Sequence, residues 1–121
     1  VNQVDDLSSA LVATGFGYDP GRRRRQAEAL VAIIGNVRDI RRCGGAATDL
    51  ASVSCGRVDA YFERGLNPWD CAAGILLVTE AGGRVTDLEG QPTTGEMVVA
   101  APVGLHGPLL DLLRSAGAEV A

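Results

Sequence analysis

The sequence predicts one α/β domain in which helices cover a largely parallel sheet, and three observations lead there. A chain of 121 residues suffices for one core and is too short for two ordinary domains. Its 46% hydrophobic and 21% charged residues are the balance of a folded globular chain rather than a disordered one. Strand-like apolar runs also alternate with helix-period segments along its whole length, with no internal repeat or low-complexity linker.

The elements follow in order. SALVATGFGY (9–18) is a strand-like run that ends in glycines. Asp19-Pro20 supplies a helix cap and a first-turn proline, Ala27, Leu30, Val31 and Ile34 recur on one helical face, and Gly35 closes the helix. DIRRC (39–43) reads as a short strand, GGAATDLASVSCG (44–56) as a helix of small residues, and VDAYFERG (58–65) as an alternating strand. Asn67-Pro68 opens a helix with apolar residues on nearly every side, which predicts burial. GRVTDLEG (83–90) is a strand and turn, and MVVAAP (97–102) a fully buried strand. The last helix has Pro108 near its start, a face of Leu109, Leu112, Leu113 and Ala116, and Gly117 as its stop.

Composition narrows the function. A net charge of −4 argues against a nucleic-acid-binding face. No apolar run reaches membrane-span length, and VNQVDDLSS has neither the basic start nor the apolar stretch of a signal peptide. All eleven basic residues are arginine, which removes lysine Schiff-base chemistry. Cys43, Cys55 and Cys71 are widely spaced and unaccompanied by a CxxC pair, so they read as buried, reduced thiols of a cytoplasmic protein. His106 is the single histidine, and its place before Gly107-Pro108 suits a helix lead-in better than a catalytic triad. Arg22 to Arg25 point around a helix in all directions, which suits a solvated first turn better than a phosphate clamp.

Two helix starts carry the remaining information. In Cys43-Gly44-Gly45-Ala46-Ala47, small residues leave the first helical N–H groups approachable, either for hydroxyls or an anion or for close helix–sheet packing. In Asn67-Pro68-Trp69-Asp70, Asp70 falls at the third helical position, where a carboxylate closes a capping box. Capping accounts for Asp70 completely. A carboxylate on a buried helix nevertheless calls for a charge partner, and Mg²⁺ is one that suits it. Glu63, seven residues earlier at a strand end, can converge with Asp70 across one strand-to-helix turn.

NPWDCAAGILLVTEAGG resembles the WD-x-AAG-x-x-LV-x-EAGG signature of the inositol monophosphatase family. RRCGGAATDLASVSCGRVDAYFERG resembles the family's strand, small-residue helix and glutamate-bearing strand, and LVATGFGYD the strand that begins its second half. The resemblance runs from about Leu7 to Pro102. It implies an αβα-layered domain with a largely parallel mixed sheet of about five strands, the second half of the inositol-phosphatase/sugar-phosphatase fold. By position, it implies Asp70 as a metal ligand that also approaches substrate hydroxyls, and Glu63 as an acceptor from the polyol. It further implies that the backbone of Gly44, Gly45 and Ala46 faces the substrate. Many members have serine or threonine where Gly45 stands, so a hydroxyl is missing there. Arg42 adjoins this seat, within reach of substrate or a dimer partner.

The resemblance also implies an absence. The family holds most of its Mg²⁺ on a Glu-Glu pair and a DP-x-D-G-T-type motif in its first half. Neither occurs here; the single Asp-Pro, Asp19-Pro20, is followed by Gly-Arg-Arg-Arg. Residues 1–121 are therefore expected to be the C-terminal domain of a longer, homodimeric, Mg²⁺-dependent phosphatase whose N-terminal domain is a missing partner. The expected substrate is an inositol monophosphate, a phosphorylated polyol. Fructose 1,6-bisphosphate, histidinol phosphate and 3′-phosphoadenosine nucleotides are the alternatives within the family, and a non-catalytic binding or dimerisation module is the alternative outside it. The chain alone is expected to be inactive and to expose an apolar face.

Overall fold

The structure is a computed structural model and describes residues 1–118. Five strands form one mixed sheet: β1 (Leu11–Thr14), β2 (Asp39–Arg41), β3 (Ala60–Arg64), β4 (Gly83–Thr86) and β5 (Met97–Pro102). Four helices join them: α1 (Pro20–Ile34), α2 (Ala46–Ser54), α3 (Pro68–Glu80) and α4 (Val103–Ser115). The sheet order is β2-β1-β3-β5-β4. Pairing is parallel across β2, β1 and β3, with Val12 opposite both Ile40 and Ala60, and antiparallel across β3, β5 and β4. The expected layered domain with a five-stranded mixed sheet is what forms, its parallel part confined to the first three strands.

Alternation along the strands builds two cores. Val12, Ala60, Phe62, Met97, Val99 and Ala101 face one side and pack with α1 and α4 through Ala29, Ile33, Leu105, Leu109 and Leu113. Ala13, Tyr61, Val98 and Ala100 face the other side and pack with α2 and α3 through Leu50, Val53, Cys71 and Val78. Helices α2 and α3 meet at Gly74, where a Cβ would stand 2.5 Å from Leu50 Cβ and Cδ1, so glycine lets the two backbones close up. β5 is buried along its entire length, as its unbroken apolar run predicts.

Four sequence expectations need correction. The inward stripe of α1 is Gln26, Ala29 and Ile33, while Val31 and Ile34 are 78% and 49% exposed. Gln26 is drawn inward because its Oε1 accepts a hydrogen bond from Gly17 N at 2.9 Å, which ties the loop after β1 to the helix. α3 is not buried all round: Cys71, Gly74 and Val78 face the core, whereas Trp69, Leu76 and Leu77 are exposed. α4 begins at Val103, so Pro108 lies inside the helix instead of near its start. Of the cysteines, only Cys71 is buried; Cys43 and Cys55 are exposed, and all three are free thiols. Among the described residues, no helix is long and apolar enough to cross a membrane.

Candidate functional site

Parallel pairing fixes where a site forms. β1, β2 and β3 run the same way, so their C-terminal ends lie at one edge of the sheet, and each is followed by a helix whose first turn returns to that edge. The result is a cleft of about 850 Å³ lined by Gly15 to Asp19, Arg22, Arg25, Arg42, Gly44 to Ala47, Glu63 to Asn67, Trp69 and Asp70. Every residue expected to serve the site lies on it: Gly44, Gly45, Ala46, Glu63 and Asp70.

Asp70 occupies the third position of α3. Its Oδ2 accepts from Asn67 N at 2.9 Å, so it closes the cap as the sequence predicts. Its Oδ1 takes no hydrogen bond among the described residues, which leaves that oxygen to the cleft. Capping and ligand binding are thus compatible in one side chain. Proline at the first position and asparagine before it hold the turn in place.

Glu63 lies next to the end of β3, two residues after Tyr61, so both side chains leave the same face of the strand. Tyr61 Oη donates to Glu63 Oε1 at 2.7 Å. Burial pushes the Glu63 carboxyl above its usual range, and the neighbouring charges of Asp49 and Asp70 push the same way, against the Tyr61 hydrogen bond and Arg42. Burial, and then Glu63 itself, keeps the Tyr61 phenol protonated far above its ordinary value. Gly15 lies against the Glu63 carboxylate so closely that a Cβ would overlap it. The pair is a fixed acceptor rather than a mobile one.

Gly44 adopts φ +93°, a left-handed conformation that suits glycine, and turns the chain into α2. Gly45 is the N-cap and offers no side-chain cap, so the first amides of α2 point into the cleft without an intrahelical acceptor. A Cβ at Gly45 would meet nothing nearer than Thr48 Oγ1 at 3.6 Å, so a serine or threonine would fit there. The small residues therefore serve approach from the cleft as well as packing.

Three features were not foreseen. Asp49, one turn into α2, is buried, and neither of its carboxylate oxygens meets a hydrogen-bond donor among the described residues. Burial raises its affinity for a proton, opposed by Cys43 and the Arg42 charge. The signal was present, since a carboxylate in a helix of small and apolar residues is the same pattern that singles out Asp70. Arg22 and Arg25 also line the cleft, in a first turn that is solvated as expected, with Arg23, Arg24 and Arg25 exposed. Phe16 carries two guanidinium groups, Arg23 at 5.7 Å and Arg42 at 5.9 Å from its ring centre. His106 lies elsewhere, buried between α4 and β4 with Nε2 at 2.9 Å from Thr86 Oγ1, and takes no part in the cleft.

Metal binding is limited by ligand number. Among the described residues, no three His, Cys, Asp or Glu side chains are grouped to hold an ion. Asp70 Oδ1 fits one position of a Mg²⁺ coordination shell, which needs further oxygens from elsewhere.

Comparison with known proteins bears on the family and the fold. The sequence profile of the inositol monophosphatase family matches residues 1–118. Inositol-1-monophosphatase SuhB of Mycobacterium tuberculosis is 50% identical over 114 residues, which are 92% of this chain and 39% of the relative. Nus factor SuhB of Salmonella typhimurium is 47% identical over 104 residues, 80% of this chain and 38% of the relative. The solved structure of Mycobacterium tuberculosis SuhB superposes with a TM-score of 0.86 at 48% identity, covering 95% of this chain and 45% of that one. The chain thus spans less than half the length of the relatives it matches. By profile, sequence and fold, the chain belongs to the inositol monophosphatase family.

Proposed function

We propose that residues 1–121 form the C-terminal, substrate-binding half of a Mg²⁺-dependent phosphomonoesterase that hydrolyses inositol monophosphate to inositol and phosphate. The observation that supports this most is the convergence of Asp70, Glu63 and the Gly44–Ala46 helix start on one cleft edge. Glu63, held by Tyr61, accepts a hydrogen bond from a polyol hydroxyl. The first amides of α2 meet a second hydroxyl or the ester oxygen, because small residues let the ligand reach the backbone. Fixing the alcohol at two points aligns the ester for in-line displacement. Asp70 Oδ1 supplies one ligand to Mg²⁺, which when bound neutralises phosphate charge, lowers the pKa of a water nucleophile and stabilises the leaving alkoxide. The remaining ligands belong to a preceding domain of the same protein.

The exposed face of α3 supports that division. Trp69, Leu76 and Leu77 form an apolar surface that this chain does not cover, and we assign it to the preceding domain. The name Nus factor carried by the Salmonella relative keeps a second reading, a non-catalytic partner-binding module that would use the same face. The free thiols of Cys43, Cys55 and Cys71 support a cytoplasmic setting. The test is Asp70→Asn in the natural protein that contains this chain. Loss of Mg²⁺-dependent hydrolysis of inositol 1-phosphate by a hundredfold or more, with melting unchanged, is expected. Full activity in the variant would remove Asp70 from the chemistry, and an inactive wild type would favour the module.

A further inference from the structure

We propose that Thr93 and Gly95, in the loop between β4 and β5, are positioning residues that set the spacing of Glu63 and Asp70 across the short link of residues 65–67. The effect on turnover rests on the phosphatase reading above; the hold on the link stands on its own geometry.

The two carboxylates lie on different elements. β3 ends at Arg64 and α3 begins at Pro68, so Gly65, Leu66 and Asn67 decide where α3 starts relative to Glu63. Leu66 packs against the core under α2 and α3, and the backbone of the link is held by the neighbouring loop. Gly65 N donates to Glu96 O at 2.7 Å and Leu66 N to Gly95 O at 3.1 Å, which carries backbone pairing with the β5 side past the end of β3. Gly95 is buried and presses on the chain just beyond: a Cβ there would stand 3.0 Å from both Leu66 O and Asn67 O. Its φ of +120° is also one that side chains rarely adopt. Asn67 O accepts from Asp70 N at 3.0 Å, and Asn67 N donates to Asp70 Oδ2 at 2.9 Å, so a shift at this contact carries the Asp70 carboxylate with it.

Thr93 holds Gly95 in place. Its Oγ1 donates to Met97 O at 2.6 Å and accepts from Gly95 N at 3.1 Å, so one hydroxyl ties the loop to the start of β5. Without that hydroxyl, the N–H of a buried residue loses its acceptor. Neither Thr93 nor Gly95 lines the cleft, so their influence on it passes through residues 65–67. That influence is large, because misplacing one of two groups that grip the same substrate by about 1 Å costs rate steeply.

The test uses the natural protein that contains this chain, as wild type, Thr93→Val, Thr93→Ser and Gly95→Ala, each assayed well below its own melting temperature. KM for inositol 1-phosphate and the Mg²⁺ concentration for half-maximal hydrolysis are both expected to rise about tenfold in T93V and G95A. Both are expected to stay within about twofold of wild type in T93S, which keeps the hydroxyl. Lower melting temperatures with KM and the Mg²⁺ requirement unchanged would overturn the proposal, since support of the fold alone gives that result. Amide hydrogen exchange of the same proteins, without Mg²⁺ or substrate, separates this inference from the phosphatase reading. Faster exchange at Gly65, Leu66, Asn67 and Asp70 in T93V, with Val12 and Leu109 unchanged, is expected whether or not the protein hydrolyses the ester. A wild type without turnover whose T93V variant loosens in this way keeps the hold of the loop on Glu63 and Asp70 and sinks the phosphatase. Exchange over residues 65–70 that matches wild type overturns the proposal. Should G95A fail to fold, the comparison of T93V with T93S decides alone.

Discussion

Helices α3 and α4 have the same length and opposite finish. α4 buries Leu105, Leu109, Leu110 and Leu113 and turns Gly107, Asp111 and Arg114 outward, so folding of this chain completes it. α3 buries only Cys71, Gly74 and Val78 and leaves Trp69, Leu76 and Leu77 in solvent. An amphipathic helix reports a boundary with water, and the outer face of α3 lacks the polar residues of such a boundary. The helix with the unfinished face is also the one that carries Asp70.

Substitutions sharpen that contrast. Leu109→Ala, in the completed helix, is expected to cost about 2–5 kcal/mol, because a fully buried leucine leaves a cavity. Leu76→Ser in α3 is expected to change the stability of the 121-residue chain by less than about 0.5 kcal/mol and to reduce its self-association. Denaturant melts with light scattering read both. A large loss for Leu76→Ser would mean that the face is covered within this chain after all.

Another contrast distinguishes the two helices on the same side of the sheet, α2 and α3. Asp70 on α3 closes the helix cap and reaches the cleft, whereas neither Asp49 carboxylate oxygen on α2 meets a donor among the described residues. Asp49→Asn is therefore expected to stabilise the fold modestly at neutral pH, by removing a buried charge. The pH dependence has a definite sign. The folded chain holds the Asp49 proton more tightly than the unfolded chain does, so wild type gains stability as pH falls through the raised pKa. The advantage of the variant is full at pH above that value and vanishes as pH approaches the ordinary aspartate value of 3.8. An advantage independent of pH would exclude a buried, ionised Asp49.

These contrasts also mark how far the sequence could be read. The capping box of α3, the wholly apolar β5 and the leucine face of α4 were legible because each rests on local spacing. The convergence of Glu63 with Asp70 was legible as a strand-to-helix turn, and the family signature placed the Gly44–Ala46 seat beside it. The inward face of α1 was not, because Ala27, Val31 and Ile34 make as good a stripe as Ala29 and Ile33, and the choice is set by Gln26 reaching Gly17. Arg22 and Arg25 face the cleft only because the parallel strands bring α1 to the same edge as α2 and α3, a fact of topology rather than spacing. The exposure of Cys43 and Cys55 likewise depends on which loops open at that layer.

The most direct test of the central claim, that this is one wall of a divided phosphatase site, is a matched assay of inositol 1-phosphate hydrolysis with Mg²⁺. The 121-residue chain and the natural protein that contains it are measured at equal molar concentration. Turnover by the longer protein and none above background by the chain alone is the predicted result. Appreciable Mg²⁺-dependent turnover by the 121 residues alone would contradict it.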